Sequence, residues 1–171
     1  MSDTNSELTL RVSKDSDIQE LKSWFETDHE LRDWAGPNLQ LPCTSASFSR
    51  DIFNPAYVSY SLFDVANNLI AFGQCYERIG RCHLARLVVA PPKRGQGIAA
   101  ELIEKLSRQG CQQLAVLEVS LFVYESNTPA IKAYEKAGFE IKDYPQDMPM
   151  DGCLYMVRMG AWSEEPMGKA F

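Results

Sequence analysis

The sequence predicts an α+β fold: a mixed, mostly antiparallel sheet of six or seven strands flanked by about four helices. Three observations carry this expectation. Apolar residues recur with a period of two through three consecutive segments between Tyr57 and Ala90. A helical period takes over from Gln96 to Gln109, and a strand-helix-strand pattern follows from Leu114 onward.

In chain order, Glu7 to Val12 alternate as a short strand, and Lys14-Asp15-Ser16-Asp17 supply a polar turn with helix-capping side chains. A helix carrying Ile18, Leu21, Phe25, Leu31 and Trp34 is then expected to run until Gly36-Pro37 breaks it. A second helix is expected from Thr44 to Phe53. Strands over Tyr57 to Phe63, Leu69 to Arg78 and Cys82 to Ala90 form an antiparallel meander, with Asn67-Asn68 and Gly80 as turns. The next helix places Ile98, Leu102, Ile103 and Leu106 on one face, and Gly110 is expected to end it. Leu114 to Tyr124 reads as a long strand. Thr128-Pro129 reads as an N-cap followed by proline at the first helical position, opening a helix that stops at Gly138. Strands from Phe139 and over Cys153 to Met159 complete the sheet. The expected organisation is one domain over 7–160, with a flexible N-terminus over 1–6 and a C-terminal tail over 161–171.

Composition narrows the function classes. A chain of 171 residues with a net charge of −6 is a poor match to nonspecific nucleic-acid binding, which depends on neutralising phosphates. No basic leader or long apolar run is present, so a cytoplasmic protein without membrane insertion is expected. Five scattered cysteines without a Cys-x-x-Cys pair argue against a disulfide framework and against a metal site.

The most informative segment is Leu87-Val88-Val89-Ala90-Pro91-Pro92-Lys93-Arg94-Gly95-Gln96-Gly97-Ile98-Ala99-Ala100. It is a strand, a glycine-bearing turn and a helix start. Gly95 and Gly97 permit close backbone approach, the free amides of the first helical turn attract an anion, and Arg94 adds a cation. A pyrophosphate suits that arrangement. Gly95-x-Gly97-x-x-Ala100 with Glu118 also satisfies a dinucleotide-binding fingerprint. The mid-chain position, the four residues between strand and first glycine, and the antiparallel upstream strands weigh against that alternative. A glycine-rich helix start serving packing alone is a third reading.

Arg94-Gly95-Gln96-Gly97-Ile98-Ala99 resembles the coenzyme A signature of the GNAT acetyltransferases, and Asn127-Thr128-Pro129-Ala130-Ile131-Lys132-Ala133-Tyr134-Glu135-Lys136-Ala137-Gly138-Phe139 resembles the family's second motif at the expected spacing. The resemblance covers about Cys82 to Tyr144. It implies a GNAT-like acyl-coenzyme A N-acyltransferase fold and acetyl-coenzyme A as cosubstrate, with no metal. Leu87, Val88 and Val89 correspond to the strand that pairs with pantetheine, and Val89 to the amide that polarises the thioester carbonyl. Arg94 to Ala99 correspond to the pyrophosphate turn, and Asn127 to a contact with the coenzyme arm. Tyr134 corresponds to the general acid, and a phenol of pKa about 10 can protonate a thiolate of pKa about 8.5. His83 stands where the family often carries a glutamate base, with Glu77, Glu118 or solvent as fallbacks.

The implied activity is direct attack of a primary amine on acetyl-coenzyme A, the acceptor being a small molecule or peptide and the enzyme a monomer or homodimer. A catalytically silent acyl-coenzyme A-binding or regulatory module is the alternative. Asp28, Glu30, Asp33, Trp34, Asp147 and Asp151 occupy segments that face the acceptor in this family. Solvated surface charge, and for Trp34 a core anchor, are the competing readings.

Overall fold

The structure is a computed structural model and describes residues 7–160; the expected N-terminus over 1–6 and tail over 161–171 lie outside the described residues. Described are strands β1 (Thr9–Val12), β2 (Val58–Phe63), β3 (Leu69–Arg78), β4 (Arg81–Val89), β5 (Glu118–Tyr124), β6 (Glu140–Lys142) and β7 (Cys153–Met159), with helices α1 (Asp15–Lys22), α2 (Asp28–Ala35), α3 (Ser45–Ile52), α4 (Ile98–Leu114) and α5 (Thr128–Lys136). The strand order is β1-β2-β3-β4-β5-β7-β6, with β1 antiparallel to β2, β4 parallel to β5, and β7 antiparallel to both β5 and β6. This is the mixed α+β sheet expected from the sequence. The chain divides into two compact units, one holding the described part of Met1–Gln74 with Arg86–Leu102, the other Cys75–Ala85 with the described part of Ile103–Phe171.

In the first unit, the single helix expected between Asp17 and Trp34 is two. Thr27 interrupts it, because its hydroxyl accepts the Glu30 N–H and so caps a new helix. Both helices still bury the residues that gave the helical period, Ile18 and Leu21 from α1 and Leu31 from α2, against Phe48, Ile52, Phe63 and Phe72. A polar network ties α1 to the sheet: Ser61 Oγ donates to Asp17 Oδ2 at 3.1 Å, and the same oxygen accepts the Lys14 N–H at 2.9 Å. Asp64 builds the β2–β3 turn, accepting the amides of Ala66 and Asn68 while Asn67 takes a left-handed φ of 63°.

In the second unit, helix α4 does not end at Gly110 but continues to Leu114. A Cβ at Gly110 would sit 2.5 Å from Cys82 Sγ and 3.0 Å from Cys75 Sγ, so glycine permits close approach of helix and strands. The cap of α5 also lies one residue earlier than expected. Asn127 Oδ1 accepts the Ala130 N–H, which makes Thr128 and Pro129 the first two helical residues. Gly138, at φ 95°, then provides the left-handed exit that the sequence indicated. The strand expected from Leu114 begins only at Glu118, since Ala115 turns the chain at φ 55°. The five cysteines are free thiols.

Candidate active site

The first unit carries the coenzyme-binding candidates of β4 and the following turn. Pro91–Lys93 form a single 3-10 turn after β4. Gly95 and Gly97 adopt φ of 76° and 80°, a conformation costly for residues with a Cβ, and nothing approaches either position. Helix α4 opens directly after them, so the unpaired amides of its first turn face the exposed turn. Arg94 Nε donates to the Val89 carbonyl at 3.1 Å, and Gln96 Nε2 donates to the Pro92 carbonyl at 3.3 Å, which holds the turn against the strand end. Ile98 packs on the cluster of Leu62, Ile70, Ala71 and Leu102, joined by Leu87 and Val89. Ala99 is exposed beside it.

The three strand candidates are not equivalent. Ala90 N–H donates to Ile70 O at 2.8 Å, so this end of β4 pairs with β3 through Ala90 and, by the alternation of an antiparallel ladder, through Val88. The Val88 side chain is buried in the first unit's core. Leu87 and Val89 direct their backbone groups to the opposite edge of the strand, and the bond from Arg94 to Val89 O follows that direction. The register of β4 with β5 covers Cys82↔Val119, His83↔Ser120 and Leu84↔Leu121, all before Arg86, whose φ of 52° interrupts the regular strand.

The second unit carries Asn127, Tyr134 and His83. Asn127 is exposed and engaged in capping. Tyr134, two turns into α5, is half-buried with its ring edge-on to Phe139 at 5.9 Å. Burial pushes its hydroxyl above the ordinary value near 10, so the proton is held at neutral pH.

His83 is 2% exposed. Its Nδ1 shares a hydrogen bond with Ser120 Oγ at 2.8 Å, and its ring lies 4.6 Å from Phe122 and 5.2 Å from Tyr76. Burial, with the Arg78 charge as the second cause, lowers its pKa to about 3. An imidazole held neutral this firmly is a weak proton acceptor, which weighs against the base role expected from its position. The fallbacks are engaged elsewhere: Glu77 Oε1 accepts the Gly80 N–H in the β3–β4 turn, and Glu118 pairs with Arg81. Sequence reasoning missed the residues around His83. Arg78 donates from Nε to Tyr76 Oη at 3.0 Å and from Nη1 to Tyr144 Oη at 2.8 Å, and lies over the Phe122 ring at 5.2 Å. These residues come from three separate stretches of chain, and no local spacing announces them.

The acidic candidates Asp28, Glu30, Asp33, Asp147 and Asp151 are exposed, Asp33 lying 3.4 Å from His29. Trp34 sits among Phe25, Phe48 and Phe72, with centroids 4.9–6.5 Å apart, as a packing anchor of the first unit. Among the described residues no cluster of His, Cys, Asp and Glu is arranged to hold a metal, and no helix is long and apolar enough to cross a membrane.

A model of the acetyltransferase (GNAT) family matches residues 18–139, spanning the glycine turn and the Tyr134 helix together. Aminoglycoside N(6')-acetyltransferases type 1 from Klebsiella pneumoniae and from Serratia marcescens are each 21% identical over 173 aligned positions, covering 92% of this chain and 86% of theirs. A solved spermidine N-acetyltransferase from Vibrio cholerae, in complex with CoA and spermine, superposes with a TM-score of 0.71 at 20% identity over 91% of this chain and 97% of that one. The chain belongs to the GNAT acetyltransferase family and is an acyltransferase with the GNAT fold. The dinucleotide alternative lapses with that membership.

Proposed function

We propose that this chain transfers the acetyl group of acetyl-coenzyme A to a primary amine by direct attack. The observation that carries the reading is the turn from Arg94 to Ala99, where two left-handed glycines precede an exposed start to a 17-residue helix. In this reading the amides after Gly97 and the Arg94 side chain take the pyrophosphate. Leu87 and Val89, rather than Val88, pair with the pantetheine amides, because their backbone groups face away from β3. The Val89 N–H donates to the carbonyl oxygen as negative charge gathers on it, a contribution of about two to three orders of magnitude in rate.

Tyr134 donates its proton to the sulfur as the carbon–sulfur bond breaks. The attacking nitrogen loses its proton to water rather than to His83, which is buried and neutral. The spermidine and aminoglycoside acetyltransferases similar to this chain support an amine acceptor. Isothermal titration with acetyl-coenzyme A, coenzyme A and NAD tests the reading. Saturable binding of the first two alone is expected, and folded protein that binds neither would overturn it.

A further inference from the structure

Near the end of β7 the second unit buries a charge: Arg158, opposite Val119 of β5, is 8% exposed. Its Nη1 donates to the Ala137 carbonyl at 2.8 Å and pairs with Glu104 of α4. Its stem lies against Gly138, where a Cβ would meet Arg158 Cδ at 3.4 Å, and its guanidinium lies 5.3 Å from the centroid of the Phe139 ring. The arginine therefore touches Ala137, Gly138 and Phe139 in succession, the residues that close α5. The same residues support Tyr134. Its carbonyl accepts the Phe139 N–H at 3.0 Å, and the two rings meet edge-on at 5.9 Å.

Stability alone is a poor reason for this arrangement. Arg158 Nε and Nη2 are buried without a hydrogen-bond partner among the described residues, which opposes folding, and an apolar side chain of similar volume fills such a place at less cost. What the guanidinium supplies instead is a directional bond to the Ala137 carbonyl, at a helix end where carbonyls have no partner within the helix. We propose that Arg158 is a positioning residue for Tyr134: by fixing Ala137, Gly138 and Phe139 against β7 and α4, it sets the place of the phenol from which the proton leaves. The inference rests on the acid role of Tyr134 in the acetyltransfer reading above. Arg158 acts through Phe139 and the helix end, all within the second unit.

A double-mutant cycle tests it, with coenzyme A release measured over a panel of amines for the wild type, Arg158→Gln, Tyr134→Phe and the double variant. Arg158→Gln is expected to lower kcat about 10- to 100-fold, the cost of a slightly misplaced reacting group, with KM for acetyl-coenzyme A changed less than about twofold. Arg158→Lys, which keeps the charge and one bond to Ala137, is expected to recover part of that loss. In the Tyr134→Phe background, Arg158→Gln is expected to cost less than about twofold, because the placement of an acid matters only where the acid is present. An unchanged kcat, equal losses in both backgrounds, or a loss confined to KM overturns the proposal. Tyr134→Phe that turns over at the wild-type rate overturns the acid role and this inference with it, whereas a slow Tyr134→Phe with additive losses fails this inference alone. If Arg158→Gln does not fold, Arg158→Lys is carried through the same cycle under the same criteria. If no amine is turned over, protein labelled with 3-fluorotyrosine is compared by fluorine NMR, the Tyr134 and Tyr57 resonances being those absent from Tyr134→Phe and Tyr57→Phe. A shift of the Tyr134 resonance in folded Arg158→Lys, with that of Tyr57 in the first unit in place, supports the proposal. A Tyr134 resonance that does not move, or that moves together with that of Tyr57, overturns it.

Discussion

Tyr134 and His83 show how burial shifts groups that titrate in opposite directions. Burial raises the phenol of Tyr134, which keeps it protonated at neutral pH as the proposed acid role requires, and lowers the imidazole of His83 to about 3, which keeps it neutral there. Tyr134→Phe is expected to lower kcat about 10²- to 10⁴-fold with little change in KM for acetyl-coenzyme A, as seen in steady-state thiol release. His83 also gives stability a pH dependence. Its folded pKa lies below the value of about 6.5 in the unfolded chain, so between pH 6.5 and 3 the unfolded state binds the additional proton. The contribution of neutral His83 is therefore complete above pH 6.5 and is lost as pH falls, by up to ~1.4 kcal/mol per pH unit. Urea titrations at pH 7 and pH 5 are expected to show a smaller difference in His83→Gln than in the wild type.

At the scale of the element, Gly110 decides how closely α4 lies on its strands. Gly110→Ala adds a methyl group where Cys82 Sγ is 2.5 Å away, and that crowding outweighs the better helix propensity of alanine, which is worth about 1 kcal/mol. A net loss of ~1–2 kcal/mol in denaturant unfolding is expected; an unchanged or higher midpoint would show that the thiols move aside without cost. The same glycine explains why the sequence misplaced the end of α4. A glycine in a helical pattern reads equally as terminator or close-contact position, and only the strand behind it distinguishes the two. The break at Thr27 has a similar cause, since a periodic apolar face continues across a capped interruption.

For the molecule as a whole, a ligand that binds only the folded chain raises its apparent stability, by about 2.7 kcal/mol at a hundredfold excess over Kd. Acetyl-coenzyme A is expected to raise the melting midpoint where NAD does not. Gly97→Glu is expected to abolish that shift, because φ 80° strains any side chain there and the added carboxylate opposes the pyrophosphate. A Gly97→Glu protein that melts higher with acetyl-coenzyme A would place the pyrophosphate elsewhere.

The succession of strands, the glycine turn before α4 and the motif around Tyr134 were legible in the sequence, because period, capping residues and glycine spacing are local properties of the chain; the division of the first helix at Thr27 was not. They were sufficient to indicate the family. Tertiary structure decided what locality cannot express: which edge of β4 the amides of Leu87 and Val89 face, that His83 lies against Ser120 in a buried and neutral state, and that Arg78 meets Tyr144 across 66 residues of chain. Each of these depends on strand pairing and on the exclusion of water. The same histidine or arginine in a different register would have different partners, a different charge balance and a different role.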